Sequence, residues 1–384
     1  MIPIYKPYLN KENLKYAHEA IDSTWVSSQG EYLDYVKNEL KSFLGCNKII
    51  LTNNGTTATH LLSLALKYKY PHITKIIVPN NVYVAAWNSF LFDKNYELIP
   101  IDANLESWNI DVEKIGDKLD ENTAILIVHN IGNIINVSEL KKKFPNTVIM
   151  EDNCEGFLGK YNDKFSGTDS FVSSISFFGN KTVTSGEGGA FITNDEDVFN
   201  YINTVKNQGQ SDIKFLHDVL GYNYRMTNLQ ASILYGQIID INKIIEMKLN
   251  VFKEYKKHLD QIEGISFQKQ DENTSHSNWM FGIRFLNFDL ETKKKLELFL
   301  FESGIDTRPM FYSITKHQYL SHIKCDTTNA DILQSQCLIL PSYPELTKSQ
   351  ITFICNKIKR FLIKLNEQNN KLRPQPELKQ IEKR

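Results

Sequence analysis

From Lys48 to Thr193 the chain alternates short apolar, β-branched runs with helical stretches, a pattern that few folds accept. The runs fall at 48–52, 76–78, 97–101, 124–128, 147–150, 172–177 and 190–193, with helical patterns at about 57–69 and 82–92. A strand that is apolar on both faces must be covered on both faces. The series therefore predicts an α/β fold, a mostly parallel seven-stranded sheet sandwiched by helices.

Flanking segments have different rhythms. Helical patterns at 12–21 and 32–44 come first, the second stopped by Gly45. The region 195–257 is helical with a polar interruption at 207–212. After Gly264 come extended runs at 265–268 and 279–285, a helix at 290–303, extended pieces at 306–311 and 337–340, and an amphipathic helix at 348–365. The expected division is a large α/β unit over 1–257 and a smaller α+β unit over 258–366. A polar tail at 367–384, with two prolines, is expected to fray.

Composition narrows the partners. Among 384 residues, 44 Lys and Arg balance 45 Asp and Glu. That near-neutrality argues against nucleic acid or an anionic membrane as main partner, since both select a basic excess. Five cysteines, an odd number without a C-x-x-C pair, give neither a disulfide framework nor a zinc site, so no metal is expected. No apolar run approaches the length of a bilayer span, and the first residues lack the apolar core of a signal peptide. A cytoplasmic enzyme or binding protein is the expectation.

Three segments, each following an expected strand, carry candidate chemistry. In Ser176-Phe-Phe-Gly-Asn-Lys181 a lysine opens a loop at a strand end, where α/β sheets place ligands. The bland alternative is a solvated lysine beside a glycine-rich turn. Asp152 follows the strand at 147–150 and either meets a bound cation or caps the next segment. Gly55, Thr56 and Thr57 open a helix whose free N–H groups suit a phosphate, although neither a P-loop nor a G-x-G-x-x-G is present. Together a phosphate cradle, an acid and a lysine fit pyridoxal 5'-phosphate: lysine for the Schiff base, acid for the pyridine nitrogen, helix end for the phosphate. Tyr83 is either the aromatic stacked on the ring or a core residue.

These residues sit in blocks that resemble the DegT/DnrJ/EryC1/StrS family of sugar aminotransferases, fold-type I pyridoxal-phosphate enzymes. The blocks are Trp25-Val-Ser-Ser-Gln-Gly30, Asn54-Gly-Thr-Thr-Ala58, Glu151-Asp-Asn-Cys-Glu155, Ser176-Phe-Phe-Gly-Asn-Lys181, Gly221-Tyr-Asn-Tyr-Arg-Met226, Gly304-Ile-Asp-Thr-Arg-Pro309 and Leu340-Pro-Ser-Tyr-Pro344. Their order and spacing span about 2–365. Within the family, the blocks around Lys181, Gly221 and Gly304 are most similar to perosamine synthases, which aminate GDP-4-keto-6-deoxymannose with glutamate. Departures are Val82 before the aromatic, His129-Asn-Ile-Gly132, and Asn153-Cys154 after the aspartate. None of them removes a group that transamination requires.

The resemblance implies roles position by position. Lys181 is the cofactor-binding lysine and proton carrier, Asp152 pairs with the pyridine nitrogen, and Glu155 lies near the ring hydroxyl. Gly55, Thr56, Thr57 and Ser176 hold the phosphate, and Tyr83 lies over the ring. Asn223 reaches the cofactor phosphate of a neighbouring subunit, implying a homodimer with shared active sites. Arg308 meets the nucleotide-sugar diphosphate, as a guanidinium fork suits phosphate oxygens, the bland alternative being a surface ion pair. Tyr312 and His317 are further substrate candidates.

The expected partners are L-glutamate and a nucleotide-linked 4-keto-6-deoxyhexose. A dTDP- or UDP-linked sugar, and amination at C3, are alternatives. A 3-dehydratase of the same fold carries histidine in place of the lysine, so Lys181 speaks against it. A non-catalytic nucleotide-sugar-binding protein would not need the intact set. A nicotinamide enzyme would need the glycine fingerprint that is missing.

Overall fold

The protein is described by a computed structural model covering residues 1–372, with side chains to 368. Two helices, α1 (Lys15–Asp22) and α2 (Tyr32–Leu44), precede the sheet. Gly45 ends α2 at φ 67°, a left-handed position that suits glycine. The large sheet is then laid down by β1 (Lys48–Thr52), α3 (Gly55–Lys69), β2 (Lys75–Pro79), α4 (Ala85–Leu91), β3 (Glu97–Ile101), β4 (Thr123–Val128), α5 (Val137–Lys143) and β5 (Ile149–Asp152). A short hairpin, β6 (Lys160–Tyr161) and β7 (Lys164–Phe165), separates these from β8 (Val172–Ser176) and β9 (Gly189–Thr193).

The strand order is β1-β9-β8-β5-β4-β2-β3. All neighbours are parallel except β9, which runs antiparallel to both β1 and β8. The mostly parallel seven-stranded sheet is as expected. Because β9 reverses twice, β1 points the same way as β8 and β5. Their C-terminal ends therefore reach one edge.

Alternation along the strands divides the core. Ile76, Val78, Ala124, Leu126 and Phe191 face one layer with Leu61, Leu62 and Leu66 of α3 and Trp87 and Phe90 of α4. Ile77, Ile125, Ile127 and Ile149 face the other, with Leu140 of α5. That two-residue period explains why β4 is buried along its whole length. Pro100 sits in β3, an edge strand, where its missing N–H costs no ladder bond.

Next come α6 (Glu196–Lys206), α7 (Asn228–Ile239) and α8 (Ile241–Leu259). The irregular stretch between α6 and α7 runs from 207 to 227, much longer than the interruption expected at 207–212. Thr227 ends it with a reciprocal capping box to Gln230. The second sheet follows: β10 (Ile265–Ser266), β11 (Thr274–Ser275), β12 (Phe281–Phe285), α9 (Leu290–Glu302), β13 (Arg308–Pro309), α10 (Thr328–Gln336), β14 (Cys337–Leu340) and α11 (Lys348–Leu372). It is antiparallel, in the order β10-β12-β14-β13, while β11 joins β6 and β7 instead.

Val251, Phe252, Tyr255 and Leu259 of α8 belong to the core of this second sheet, with Phe281, Ile283, Leu338 and Ile354. Ile2 also bridges to Ile305. We therefore propose that α8 and the first residues join the two units rather than belong wholly to the first. α11 continues to Leu372, so 367–372 is helical; the rest of the expected tail lies outside the described residues. No helix among the described residues is long and apolar enough to cross a membrane.

Candidate active site

The shared edge of β1, β8 and β5 opens into a cavity of about 420 Å³. Gly55, Thr56, Tyr83, Asp152, Glu155, Ser176, Lys181 and Arg308 all line it, which brings together eight of the expected residues from five sequence segments.

The cradle forms where α3 starts. Asn54 caps the helix by accepting the Thr57 N–H at 2.9 Å. The turn lies so close to β8 that a Cβ on Gly55 would stand 2.6 Å from Ser176 Cβ, so only glycine permits this approach. N–H groups at the start of α3 and the Ser176 hydroxyl thus face the cavity together, a setting for a phosphate. Thr57 does not line the cavity: its N–H donates to Asn54 Oδ1, and its one hydroxyl proton is shared between Asn53 Oδ1 (2.8 Å) and the Asn54 carbonyl (2.9 Å).

The acid side is held by β5. Asp152, the last strand residue, is buried, and its Oδ1 accepts the Cys154 N–H at 3.1 Å. Beneath it, His129 and Glu151 are fully buried. His129 Nδ1 accepts the Ile135 N–H at 3.1 Å, so Nε2 carries the proton and donates to Glu151 at 2.8 Å. Asn153 turns away from the cavity and pairs twice with Ser166, whereas Cys154 lines the cavity near Ser174 and Thr59.

Glu155 is buried and accepts the Ile131 N–H at 2.7 Å. Burial pushes its carboxyl up to about 7; the positive charge of Lys181 opposes that rise and Asp152 adds to it. Ile131 has φ 59°, a left-handed conformation that is costly for a β-branched residue. Its N–H bond to Glu155 is one of the restraints that hold it there.

Lys181 follows β8 by one turn. Its Nζ lies 3.8 Å from the centre of the Trp279 ring, within cation–π range. Trp279 was not singled out from sequence, although it opens the run expected at 279–285. Phe178 and Asn180, inside the block that ends at Lys181, also line the cavity, as do Glu187 and Phe311. Tyr83 is 59% exposed, which excludes the core-aromatic alternative. Arg308 is exposed at the mouth.

Three expected residues stand elsewhere. Tyr312 and His317 line a different groove, with Leu290, Lys316, Asp331 and Gln334, and the His317 ring packs edgewise on Trp87 at 5.4 Å. The turn after β13 places both outside the lining of the cavity in their own chain. Asn223 is exposed on the 207–227 stretch, where its Oδ1 accepts Arg225 Nε at 2.9 Å, and it does not line the cavity of its own chain.

A parallel sheet with a lysine, a carboxylate and a helix end around one cavity is the setting of a fold-type I aminotransferase. Residues 7–359 match the DegT/DnrJ/EryC1/StrS aminotransferase family, and the chain belongs to that family. It is 33% identical to the GDP-perosamine synthase of Escherichia coli O157:H7 over 364 residues, covering 94% of this chain and 98% of that one. Identity with the GDP-perosamine synthase of Vibrio cholerae is 34% over 372 residues, covering 94% and 99%. The fold also matches Helicobacter pylori PseC, an aminotransferase of pseudoaminic acid biosynthesis, with a TM-score of 0.88 at 20% identity over 94% of this chain and 99% of that one.

Proposed function

We propose that the protein aminates C4 of a nucleotide-linked 4-keto-6-deoxyhexose, GDP-4-keto-6-deoxymannose first among them, using L-glutamate and pyridoxal 5'-phosphate. The observation that carries this reading is the convergence of Lys181, Asp152, Ser176 and the start of α3 on one cavity. The kinship with two GDP-perosamine synthases supports the choice of sugar and base.

The residues present fit the cofactor. Gly55, Thr56 and Ser176 would hold its phosphate, Asp152 its pyridine nitrogen, Glu155 its ring hydroxyl and Tyr83 its face. When bound, the cofactor supplies an electron sink for negative charge at the reacting carbon. Asp152 keeps that sink effective by maintaining a protonated pyridine. Lys181 Nζ takes the α-proton of glutamate in the first half-reaction and delivers a proton to C4 of the sugar in the second. Arg308 at the mouth would orient the diphosphate.

We also read the protein as a cytoplasmic homodimer with shared sites. Ile213 (65% exposed), Phe215 (81%) and Leu220 (86%) form an apolar stretch on the same irregular segment as Asn223. A second copy covering this stretch would bring Asn223 toward the other subunit's phosphate.

The test is an absorbance spectrum with added pyridoxal phosphate before and after glutamate, followed by mass spectrometry with GDP-, dTDP- and UDP-linked keto sugars. A yellow band bleached by glutamate, with amination of the GDP sugar preferred, is expected. A colourless protein would overturn the whole reading. A bleaching protein that prefers another base would overturn only the substrate.

A further inference from the structure

A buried lysine on α8 lies behind the active-site wall with no role in the chemistry above. Lys248 is 1% exposed, and its amine donates to the carbonyls of Trp279 (2.7 Å) and Ser342. The amine also lies 5.1 Å from the centre of the Tyr5 ring. Burial drives its pKa well below the ordinary lysine value, and no carboxylate acts on it among the described residues. An amine placed without a counter-charge needs another reason to be there, since an apolar side chain of similar volume would fill the space at no desolvation cost.

The residues it touches supply that reason. Trp279 Nε1 donates to the Asn180 carbonyl at 2.9 Å, and Tyr5 OH donates to the Lys181 carbonyl at 2.9 Å. The two peptide groups flanking Lys181 are thus gripped by one side chain from the second unit and one from the chain's start. The Trp279 ring also lies against Lys181 Nζ. Lys248 contacts both grips from behind, through the Trp279 backbone and the Tyr5 ring.

We propose that Lys248 is a positioning residue, tying Trp279 and Tyr5 into one clamp that fixes the backbone of Lys181 in the cavity. The proposal rests on Lys181 being the reacting lysine. The clamp matters because a nucleophile or base misplaced by about 1 Å loses about 10²-fold in rate. It joins the second unit to the reacting group through hydrogen bonds and aromatic packing, with no substrate contact of its own.

Amide hydrogen exchange followed by mass spectrometry tests it, on the full chain with and without pyridoxal phosphate. In Lys248→Met, which removes both donations from the amine, exchange over 178–187 should quicken about tenfold or more, while the strands of the large sheet stay protected. kcat of the glutamate half-reaction should fall with little change in KM. Exchange over 178–187 equal to the parent's, with only a lower Tm, would overturn the proposal and leave Lys248 as core filling.

Trp279→Phe keeps a ring but removes the donor to Asn180, and serves where Lys248→Met does not fold. Quickened exchange over 178–187 is again expected, and unchanged exchange overturns the clamp. The exchange measurement needs no turnover. Failure of the clamp with bleaching intact, and failure of bleaching with the clamp intact, are therefore separate results.

Discussion

The sheet edge and the 207–227 stretch lie near each other in the fold and differ in what completes them. At the edge, Asp152, Ser176 and Gly55 are held by the chain's own strands and by close backbone approach. In the stretch, Phe215 and Leu220 are over four-fifths exposed, and Asn223 is bonded only to a residue of its own loop. The contrast teaches that burial of backbone-rich strand ends can organise charged groups within one subunit. An apolar loop stays unfinished until another surface covers it.

The largest effect should come from the edge. Lys181→Ala should lower turnover by about 10³-fold or more while pyridoxal phosphate still binds, because proton transfer is lost but the phosphate cradle remains. Stopped-flow bleaching with glutamate and equilibrium dialysis measure the two separately. Near-normal turnover would end the assignment of Lys181.

Asp152→Asn keeps the shape and removes the charge, so a loss of about 10²–10³-fold in the glutamate half-reaction is expected. Rates close to the parent's would mean that Asp152 does not pair with the pyridine nitrogen.

The stretch should respond differently. Phe215→Asp with Leu220→Asp should shift the protein toward monomer in sedimentation equilibrium without lowering the helix content seen by circular dichroism. Asn223→Ala should leave assembly intact and weaken cofactor affinity by about 10- to 100-fold, the range for one hydrogen bond to a charged group. A dimer that survives the double substitution would place the interface elsewhere and erase the contrast between the two regions.

The last effect concerns pH. Glu155 is raised from 4.5 to about 7 chiefly by burial. Between those values the folded protein holds a proton that the unfolded chain has released, so this group's contribution to stability falls as pH rises through the window. The full contribution is present below 4.5 and amounts to about 3 kcal/mol at most. Glu155→Gln, which can still accept the Ile131 N–H, lacks that loss. Its Tm relative to the parent should therefore increase from pH 5 to pH 8, and a pH-independent difference would contradict the raised carboxyl.

Much of this organisation was legible from residue order. The strand runs, Gly45 as a stop, and the lysine, acid and glycine placed after strands are local patterns, and local sterics and burial enforce them. The resemblance pointed to Arg308, Tyr312 and His317 together, and in this chain Arg308 lines the cavity while the other two line a separate groove, because motif neighbours need not share a surface once the chain turns. α5 and α10 escaped notice because they are short and only weakly patterned.

By itself the sequence determined the parallel sheet and which of its strand ends bear chemistry, since side-chain alternation and turn residues act over a few positions. Only the tertiary structure decided which side chains meet those ends. Tyr5 reaches the Lys181 carbonyl across 176 residues, and Lys248 stands behind Trp279 without any motif around it. The same three-dimensional closure spends the hydroxyl of Thr57 on its own cap and holds Ile131 left-handed against Glu155. Hydrogen-bond partners are chosen by proximity in space, and no local pattern encodes that proximity.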